Sequence, residues 1–234
     1  MIRISNLKKV YRTDEVETTA VANANLRIDA GEFVAIMGPS GSGKTTLLTI
    51  LGLLDSPTEG QYYFLGHEVS KFSEKQRTGL RRRNIGFVFQ NFNLINELTV
   101  YENIELPLIY MGITSLQREE MVMGIMEQMR ITPRRNHFPQ QLSGGQQQRV
   151  AVARAVVGKQ KLILADEPTG NLDSRNGDEV MNLLAQLNEG GAAIIMVTHS
   201  TEYASWANRT VRIFDGHVVN ENVEEEIRSV LDLR

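Results

Sequence analysis

The stretch GPSGSGKT, residues 38–45, decides the fold. It matches the pattern G-x-x-x-x-G-K-[ST] at every fixed position, and the apolar runs EFVAIM (residues 32–37) and TLLTILGLL (residues 46–54) lie on either side. In such a loop, successive backbone N–H groups form a nest for phosphate oxygens, and the following helix N-terminus adds about half a positive charge. The sequence therefore predicts a strand, a phosphate-binding loop and a helix, in that order, and a nucleoside triphosphate as ligand.

Two residues of this loop have the most defined chemistry. Lys44 is expected to reach the β- and γ-phosphates, and the Thr45 hydroxyl is expected to bind Mg²⁺. The predicted nucleotide-binding residues of the loop are Gly38, Pro39, Ser40, Gly41, Ser42, Gly43, Lys44, Thr45 and Thr46. A plain glycine-rich turn is the alternative, but it would not explain the agreement between motif and flanking pattern.

The stretch LILADE, residues 162–167, is an apolar strand pattern that ends in two carboxylates. In P-loop NTPases an acid at this edge of the sheet organises Mg²⁺, which is the role predicted for Asp166. Glu167 could then serve as the general base for an attacking water. Two acids after a strand also occur in solvated loops and helix caps, and the pattern alone leaves that alternative open.

The order of the other patterns predicts an α/β fold. Residues 1–32 alternate apolar and polar side chains, which indicates antiparallel strands, whereas residues 91–149 are mostly helical in pattern. Buried-strand patterns at 162–165 and 193–198 enclose an amphipathic helix pattern, and a last strand pair turns at Asp215-Gly216. Strands that alternate with helices imply a largely parallel sheet.

These patterns predict a single domain over residues 1–234. The β subdomain and core are expected at about 1–90 and 150–234, with an inserted helical subdomain at about 91–149. The basic run RRR, residues 81–83, is interpreted as solvated surface before the next strand.

The composition limits the kinds of partner and site. The 234 residues carry 25 Lys and Arg against 28 Asp and Glu, a net charge of −3, so nucleic-acid binding is not expected. The absence of cysteine excludes disulfides and thiolate metal sites. The N-terminal residues lack a signal-peptide pattern, and the longest apolar runs fall far below the ~20 residues that span a bilayer. We expect a protein that is soluble by itself.

Six short motifs occur in a fixed order along the chain. They are GPSGSGKT (38–45), FQ (89–90), LSGGQQQR (142–149), LILADE (162–167), NLD (171–173) and TH (198–199). Over nearly the whole chain this set resembles the nucleotide-binding subunit of ABC transporters, and LSGGQ is decisive because it is nearly specific to ABC proteins. The resemblance implies an ABC-type P-loop NTPase with a mixed parallel sheet core, an N-terminal antiparallel β subdomain and an inserted α-helical subdomain. It also implies an enzyme that hydrolyses ATP with Mg²⁺.

The resemblance implies roles for residues outside the P-loop. Tyr11 matches the aromatic residue that stacks on adenine, and Asp173 matches the loop that couples the two sites of a dimer. His199 matches the histidine that contacts the γ-phosphate and supports Glu167. The remaining histidines, for which ordinary solvated or core positions are expected, are His67, His137 and His217.

Gln90 matches the family's glutamine that meets Mg²⁺ and the attacking water, in a loop that also senses the membrane partner. The implied metal ligands, partly through water, are Thr45, Gln90 and Asp166. The implied catalytic residues are Glu167, His199 and Gln90.

The glycine-rich turn in LSGGQQQR has an implied partner in a second copy of the chain. In the family, two ATPase units pack head to tail on ATP, and the signature turn of one closes over the ATP held by the other. The residues that would face the partner's γ-phosphate are Ser143, Gly144, Gly145 and Gln146. A Gly-Gly turn at a helix N-terminus repeats the phosphate-binding chemistry of the P-loop. The resemblance therefore implies a homodimer with two composite sites.

At finer grain, phrases such as GLLDSPTEG (residues 52–60) and ADEPTGNLDS (residues 165–174) are similar to the MacB/LolD/FtsE group, and ELPLIYMGI (residues 105–113) is closest to MacB. MacB carries its membrane domain in the same chain, so a LolD-like organisation with a separate permease is expected here. The implied function is export or release of peptides, lipoproteins or small amphiphiles by mechanotransmission. The implied location is the cytoplasmic face of the inner membrane, where the chain would be bound to the permease. An adaptor or outer-membrane channel is implied as a further partner.

The helical block is where the family places its contact with the permease. The candidates for a groove that receives a short permease helix are Phe92, Leu94, Tyr101 and Leu106, with the subdomain core as the alternative. Two other functions stay open: an FtsE-like regulator of a cell-wall hydrolase, and a soluble ABC protein of DNA repair or translation. The chain has neither the coiled-coil insertion nor the second ATPase unit that is usual in the latter class.

Overall fold

The computed structural model describes residues 1–12 and 16–219. These residues divide into two compact units, one formed by the described residues of 1–77 and 195–219 and the other by Thr78–Ile194. The single-domain organisation with a helical insertion at about 91–149 stays a prediction.

The described residues form ten strands and seven α-helices. The strands are β1 (Ile2–Arg12), β2 (Glu17–Ile28), β3 (Phe33–Met37), β4 (Glu59–Phe64), β5 (His67–Glu68), β6 (Ile85–Phe89), β7 (Leu162–Asp166), β8 (Ala193–Val197), β9 (Arg209–Phe214) and β10 (His217–Val219). The helices are α1 (Lys44–Leu51), α2 (Glu74–Asn84), α3 (Val100–Met111), α4 (Ser115–Gln128), α5 (Gly144–Val156), α6 (Ser174–Glu189) and α7 (Thr201–Ala204). Two short 3₁₀ turns lie at Thr132–Arg134 and Pro139–Gln141.

The first unit contains a four-stranded sheet in the order β2-β1-β4-β5. Both neighbours of β1 run antiparallel to it, so Ile2 lies opposite Ile28 on one side and Phe64 on the other. These three side chains are fully buried, because alternate residues of a strand point to one face. The predicted N-terminal antiparallel strands are confirmed. The stretch QYYFLGHEV, residues 61–69, has the pattern of one further strand of this sheet, but it forms parts of two strands, β4 and β5, which turn at Leu65-Gly66.

The first unit also holds the strand order β10-β9-β3-β8. β3 runs parallel to β9, and the four residues from Phe33 to Ile36 are buried, as expected for a strand covered on both faces. β9 and β10 pair antiparallel across Asp215 and Gly216, whose φ angles of 46° and 78° suit a tight hairpin. The turn predicted at these two residues is confirmed.

The second unit contains strands β6 and β7 with helices α3 to α6. β6 and β7 are parallel, with Phe89 opposite Asp166, and α5 packs against β6 and α3. A Cβ on Gly86 would lie 1.9 Å from the Ala155 carbonyl oxygen, so only glycine allows this approach of β6 to α5.

The mixed α/β fold predicted from the sequence is confirmed, but two helices, α2 and the four-residue α7, were not predicted. α2 has no buried residue, so it carries no apolar periodicity that a sequence pattern could reveal. Its last turn contains Arg81, Arg82 and Arg83, where positive charge is favourable beside the helix C-terminus. In the described part of the chain, every helix is too short or too polar to cross a membrane.

Candidate nucleotide site

The predicted phosphate loop connects β3 to α1 in the first unit. The Lys44 ammonium group folds back over its own loop and donates hydrogen bonds to the carbonyl oxygens of Gly38 (2.9 Å) and Pro39 (2.8 Å). The side chain is buried, and both acceptors come from the first two residues of the motif. Lys44 is therefore positioned at the centre of the loop, where it can meet a phosphate.

The backbone of Gly43 and the buried hydroxyl of Ser42 both suit a loop that binds phosphate. Gly43 has a φ of 99°, and a Cβ on it would lie 2.1 Å from the Ala20 carbonyl oxygen, so no other residue fits. The Ser42 side chain is 2% exposed, and its Oγ has no hydrogen-bond partner among the described residues. A buried hydroxyl costs free energy unless it finds an acceptor, and a phosphate oxygen would supply one. The loop thus fits an anion of this kind.

Tyr11 lies at the end of β1 and keeps 45% of its surface exposed. Its hydroxyl donates to Asp55 Oδ2 at 3.4 Å, and Lys9 Nζ lies 5.0 Å from the ring centroid. The exposed part of the ring leaves room for a flat partner such as a purine.

His199 follows β8 in the same unit and is exposed. The preceding Thr198 is buried; its N–H donates to the Ile36 carbonyl oxygen at 3.2 Å and its Oγ1 accepts from Ser200 N–H at 3.1 Å. Since Ile36 lies two residues before the phosphate loop, these bonds place His199 beside the strand end from which the loop starts.

The two carboxylates of the second unit lie at the end of β7. Because Phe89 pairs with Asp166, Gln90 and Glu167 each follow the ends of neighbouring parallel strands. Glu167 has a φ of 47°, a left-handed conformation that costs a non-glycine residue about 1 kcal/mol. Its carbonyl oxygen accepts from Gly170 N–H at 3.0 Å. A strained backbone at an acidic residue supports a functional role for that side chain.

Gln90 is held by Asn171, a residue to which the sequence analysis assigned no role of its own. Gln90 Nε2 donates to Asn171 Oδ1 (3.2 Å), while Asn171 Nδ2 donates to the Gln90 carbonyl oxygen (3.1 Å) and to Asn91 Oδ1 (2.8 Å). A Cβ on Gly170 would lie 2.7 Å from Gln90 Nε2, so the glycine makes room for this amide. The NLD segment thus fixes the position of Gln90.

The signature motif forms the start of α5. The Ser143 hydroxyl accepts from Gln146 N–H at 3.4 Å, and Ser143 N–H donates to Gln146 Oε1 at 3.1 Å, which makes a capping box. Both side chains therefore stabilise the helix end. The N–H groups of Gly144 and Gly145 lie in the first turn, where a helix has no internal acceptors for them.

A cavity of about 720 Å³ opens beside the signature turn. Its basic lining residues are Arg130, Arg134, Arg149 and Arg175. Arg149 pairs with Glu179, which also lines the cavity. The combination of guanidinium groups and a helix N-terminus suits a polyanion.

Asp173 lies on the same cavity and caps α6. Its carboxylate accepts from Asn176 N–H (2.9 Å) and Asn176 Nδ2 (2.8 Å), and these hydrogen bonds hold the pKa of Asp173 below its usual value. The negative charge at the start of α6 is thereby fixed close to the signature turn.

Replacement of Gly145 by alanine is expected to destabilise the second unit by about 1–3 kcal/mol. The added Cβ would lie 2.1 Å from Asn176 Oδ1, and Asn176 cannot move away without losing its bonds to Asp173. Gly124→Ala is the matched control, because a Cβ there meets nothing within 4 Å on α4. It should stabilise the helix by about 0.5–1 kcal/mol. Urea unfolding of both variants checks this prediction, and equal stability would contradict it.

The predicted metal ligands divide between the units, Thr45 in the first and Gln90 and Asp166 in the second. Across residues 1–12 and 16–219 there is no group of three or more His, Cys, Asp or Glu side chains that could hold a metal. Hydroxyl, amide and carboxylate oxygens suit Mg²⁺, which is usually bound by one or two carboxylates together with substrate phosphates. Each of these three residues supplies a donor type that Mg²⁺ accepts, and their joint role as ligands stays a prediction.

The four apolar candidates for a permease groove, Phe92, Leu94, Tyr101 and Leu106, are half-buried. The structure reveals more exposed apolar side chains around the end of α3, which the sequence analysis did not single out. They are Ile109 (47% exposed), Tyr110 (65%) and Leu116 (81%). Exposed apolar side chains that form one patch are typical of interaction surfaces, so these residues are candidates for such a role.

Comparison with known proteins gives one consistent family. The family model described as ABC transporter matches residues 21–170. An uncharacterized ABC transporter ATP-binding protein of Methanocaldococcus jannaschii, MJ1508, is 49% identical over 94% of this chain and 98% of its own length. The macrolide export ATP-binding/permease protein MacB of Azoarcus sp. is 46% identical over 94% of this chain, which spans only 33% of that protein.

A solved structure agrees with these relatives. It is described as the dimeric, post-hydrolysis state of the ATP-binding cassette MJ0796 bound to ADP and Pi. The match has a TM-score of 0.87 at 44% identity and covers 94% of this chain and 97% of that one.

Proposed function

Since this chain belongs to the ABC transporter family and is an ATPase of that family, we propose that it works as a head-to-tail homodimer that drives a separate membrane permease. The observation that supports this proposal is the presence of two glycine-containing turns whose geometry suits phosphate oxygens. One is the loop around Lys44, and the other is the capped turn at Ser143 beside an arginine-lined cavity. A chain that bound one nucleotide entirely by itself would have no use for the second turn.

The nucleotide is held by residues of the first unit. Tyr11 stacks on the purine, the loop N–H groups and Ser42 bind the phosphate oxygens, and Lys44 exchanges its two carbonyl acceptors for the β- and γ-phosphates. Mg²⁺, when bound at Thr45, Gln90 and Asp166, supplies charge neutralisation at the phosphates.

Hydrolysis is carried by side chains at the strand ends. Glu167 accepts the proton of the attacking water, and Gln90, fixed by Asn171, orients that water. His199 contacts the γ-phosphate and supports Glu167. The strained backbone of Glu167 and the two-sided hold on Gln90 support these roles, because preorganised groups are what such chemistry requires.

The signature turn acts on the nucleotide of the partner copy. Dimeric cassettes are among the solved relatives, one of them with ADP and Pi bound. The N–H groups of Gly144 and Gly145 and the hydroxyl of Ser143 are suited to donate to a γ-phosphate, and Asp173 couples the two sites through α6. Hydrolysis removes these contacts, so that the dimer opens.

The permease is proposed to dock on the exposed apolar residues at the end of α3, with Ile109 and Tyr110 joining the predicted groove residues Phe92, Leu94, Tyr101 and Leu106. MacB-named relatives, whose names describe ATP-binding and permease parts in one protein, support a permease of that class. We place the chain at the cytoplasmic face of the inner membrane, in an export machine of MacB/LolD type with an adaptor or outer-membrane channel. The cargo class is peptides, lipoproteins or small amphiphiles.

Tagged Glu167→Gln protein, expressed in its own host and solubilised from membranes with ATP, should retain a permease with a large extracytoplasmic domain. A control with the added substitution Tyr110→Glu places a charge on the exposed apolar surface and should recover less of it. Mass spectrometry identifies what is recovered. Recovery of a division-site membrane protein together with a cell-wall hydrolase would contradict the transport function and indicate a signalling ATPase. Recovery of ribosomal or DNA-repair proteins would contradict the proposal of a permease partner.

A further inference from the structure

Arg154 joins the signature helix to the loop that follows Gln90. It lies near the C-terminal end of α5, and its guanidinium donates to the carbonyl oxygens of Asn93 (Nη1, 2.6 Å) and Phe92 (Nη2, 2.9 Å). Burial lowers the pKa of the guanidinium from its usual value. Arg154 is half-buried, and a charged donor that loses part of its hydration needs acceptors in the protein, which these two carbonyl oxygens supply.

The loop that Arg154 holds has an unfavourable backbone. Phe92 and Asn93 have φ angles of 60° and 47°, so two consecutive non-glycine residues are left-handed. Such conformations cost free energy and persist only where the surroundings impose them. The two guanidinium nitrogens of Arg154 donate hydrogen bonds to the carbonyl oxygens of these same two residues.

The other end of α5 lies near the same loop. A Cβ on Gly144 would lie 3.7 Å from Phe92 Cζ and 3.5 Å from Leu172 Cδ2, which is ordinary van der Waals contact. The Phe92 ring therefore lies beside the signature turn, within the space that a side chain at Gly144 would meet, while the Phe92 carbonyl oxygen is held about three helical turns further along α5.

α5 also holds the segment after Glu167. Gln148 is fully buried, and its Nε2 donates to the Pro168 carbonyl oxygen at 2.5 Å. α5 thus forms hydrogen bonds to the segments that directly follow Gln90 and Glu167. These are the residues proposed to orient and to deprotonate the attacking water.

From these contacts we propose that Arg154 is a positioning residue, which ties the signature helix to the Gln90 loop so that Gln90 takes its working place only when α5 is in position. Gln148 ties the same helix to the segment after Glu167 through its hydrogen bond to Pro168. Contact of the signature turn with the partner's nucleotide is thereby transmitted to the chain's own Gln90. This inference rests on the proposed role of Gln90.

Arg154→Gln removes the two-pronged donor and keeps a polar side chain. The kcat for ATP hydrolysis is expected to fall about 10- to 100-fold, while ATP affinity is unchanged because the phosphate loop lies in the other unit. In the Gln90→Ala background the same substitution should change kcat less than about twofold, since a residue that acts through Gln90 has nothing left to position.

A second readout does not depend on activity. Hydrogen exchange at residues 91–94 of the nucleotide-free protein should speed up in Arg154→Gln. Arg118→Gln is the matched control, because Arg118 donates to the Ile113 carbonyl oxygen (2.8 Å) and pairs with Glu105 in the same unit. It should change neither kcat nor exchange at 91–94. Should Arg154→Gln fail to fold, Arg154→Lys, with one compact donor, is expected to give an intermediate kcat and intermediate exchange.

The outcomes separate the inference from the function on which it rests. Fully additive losses in the Arg154 and Gln90 cycle, or unchanged exchange at 91–94, would overturn the positioning role. If Gln90→Ala alone leaves kcat intact, the proposed role of Gln90 fails, and the exchange data still decide whether Arg154 orders the loop.

Discussion

ATP hydrolysis by the Glu167→Gln variant is expected to fall by about 10²- to 10⁴-fold, the usual contribution of a general base. The amide has nearly the size of the carboxylate but cannot accept the proton of the attacking water. ATP should stay bound, because the loop around Lys44 and Ser42 is unchanged. Phosphate release under single-turnover conditions measures the chemical step directly.

The same variant should accumulate as a dimer with ATP. If the γ-phosphate makes about three charge-assisted hydrogen bonds across each of two sites, the gross attraction is at most ~9–18 kcal/mol, and hydrolysis would remove much of it. Gel filtration with ATP should therefore show a stable dimer, and with ADP a monomer. Glu189→Gln, an exposed carboxylate at the end of α6, is the control and should leave both properties unchanged. Rapid turnover by Glu167→Gln would show that another group is the base.

The elements that the sequence predicts are those with a strong local pattern. The buried strands β3, β7 and β8 are continuous apolar runs, and the β9–β10 turn has Asp-Gly at the required positions. α2 was missed because all its residues are at least partly exposed, so there is no periodic pattern to recognise. The β4–β5 turn was missed because Leu65, a residue uncommon at positive φ, takes the left-handed conformation there.

In the candidate site, too, residues of contiguous motifs could be predicted, whereas contacts between residues far apart in the sequence could not. The phosphate loop and the signature are contiguous motifs, so their residues could be assigned one by one. The bonds of Asn171 to Gln90 join residues 81 apart, and those of Arg154 to Phe92 and Asn93 join residues 62 and 61 apart. Contacts of this kind depend on how helices and strands pack against one another. They leave no pattern of neighbouring residues, so they could not be predicted from the sequence.

Ser143→Arg is expected to abolish hydrolysis while ATP still binds. The substitution places a long cation where the signature turn meets the partner's γ-phosphate, and it also removes the hydroxyl that caps α5. Ser143→Ala separates these effects, because it loses the cap, at about 1 kcal/mol, without blocking the interface. Nucleotide binding by fluorescence and phosphate release are measured on both. Hydrolysis at the normal rate by Ser143→Arg would contradict a signature that works in trans.

Mixing the two inactive variants distinguishes composite sites from self-contained ones. In a dimer of one Glu167→Gln and one Ser143→Arg chain, one site receives both substitutions, and the other pairs an intact Glu167 with an intact signature turn. Random assortment makes about half of the dimers mixed, so an equal mixture should recover up to about a quarter of the normal rate. If each chain completed its own site, every site in the mixture would contain a substitution and no activity would return.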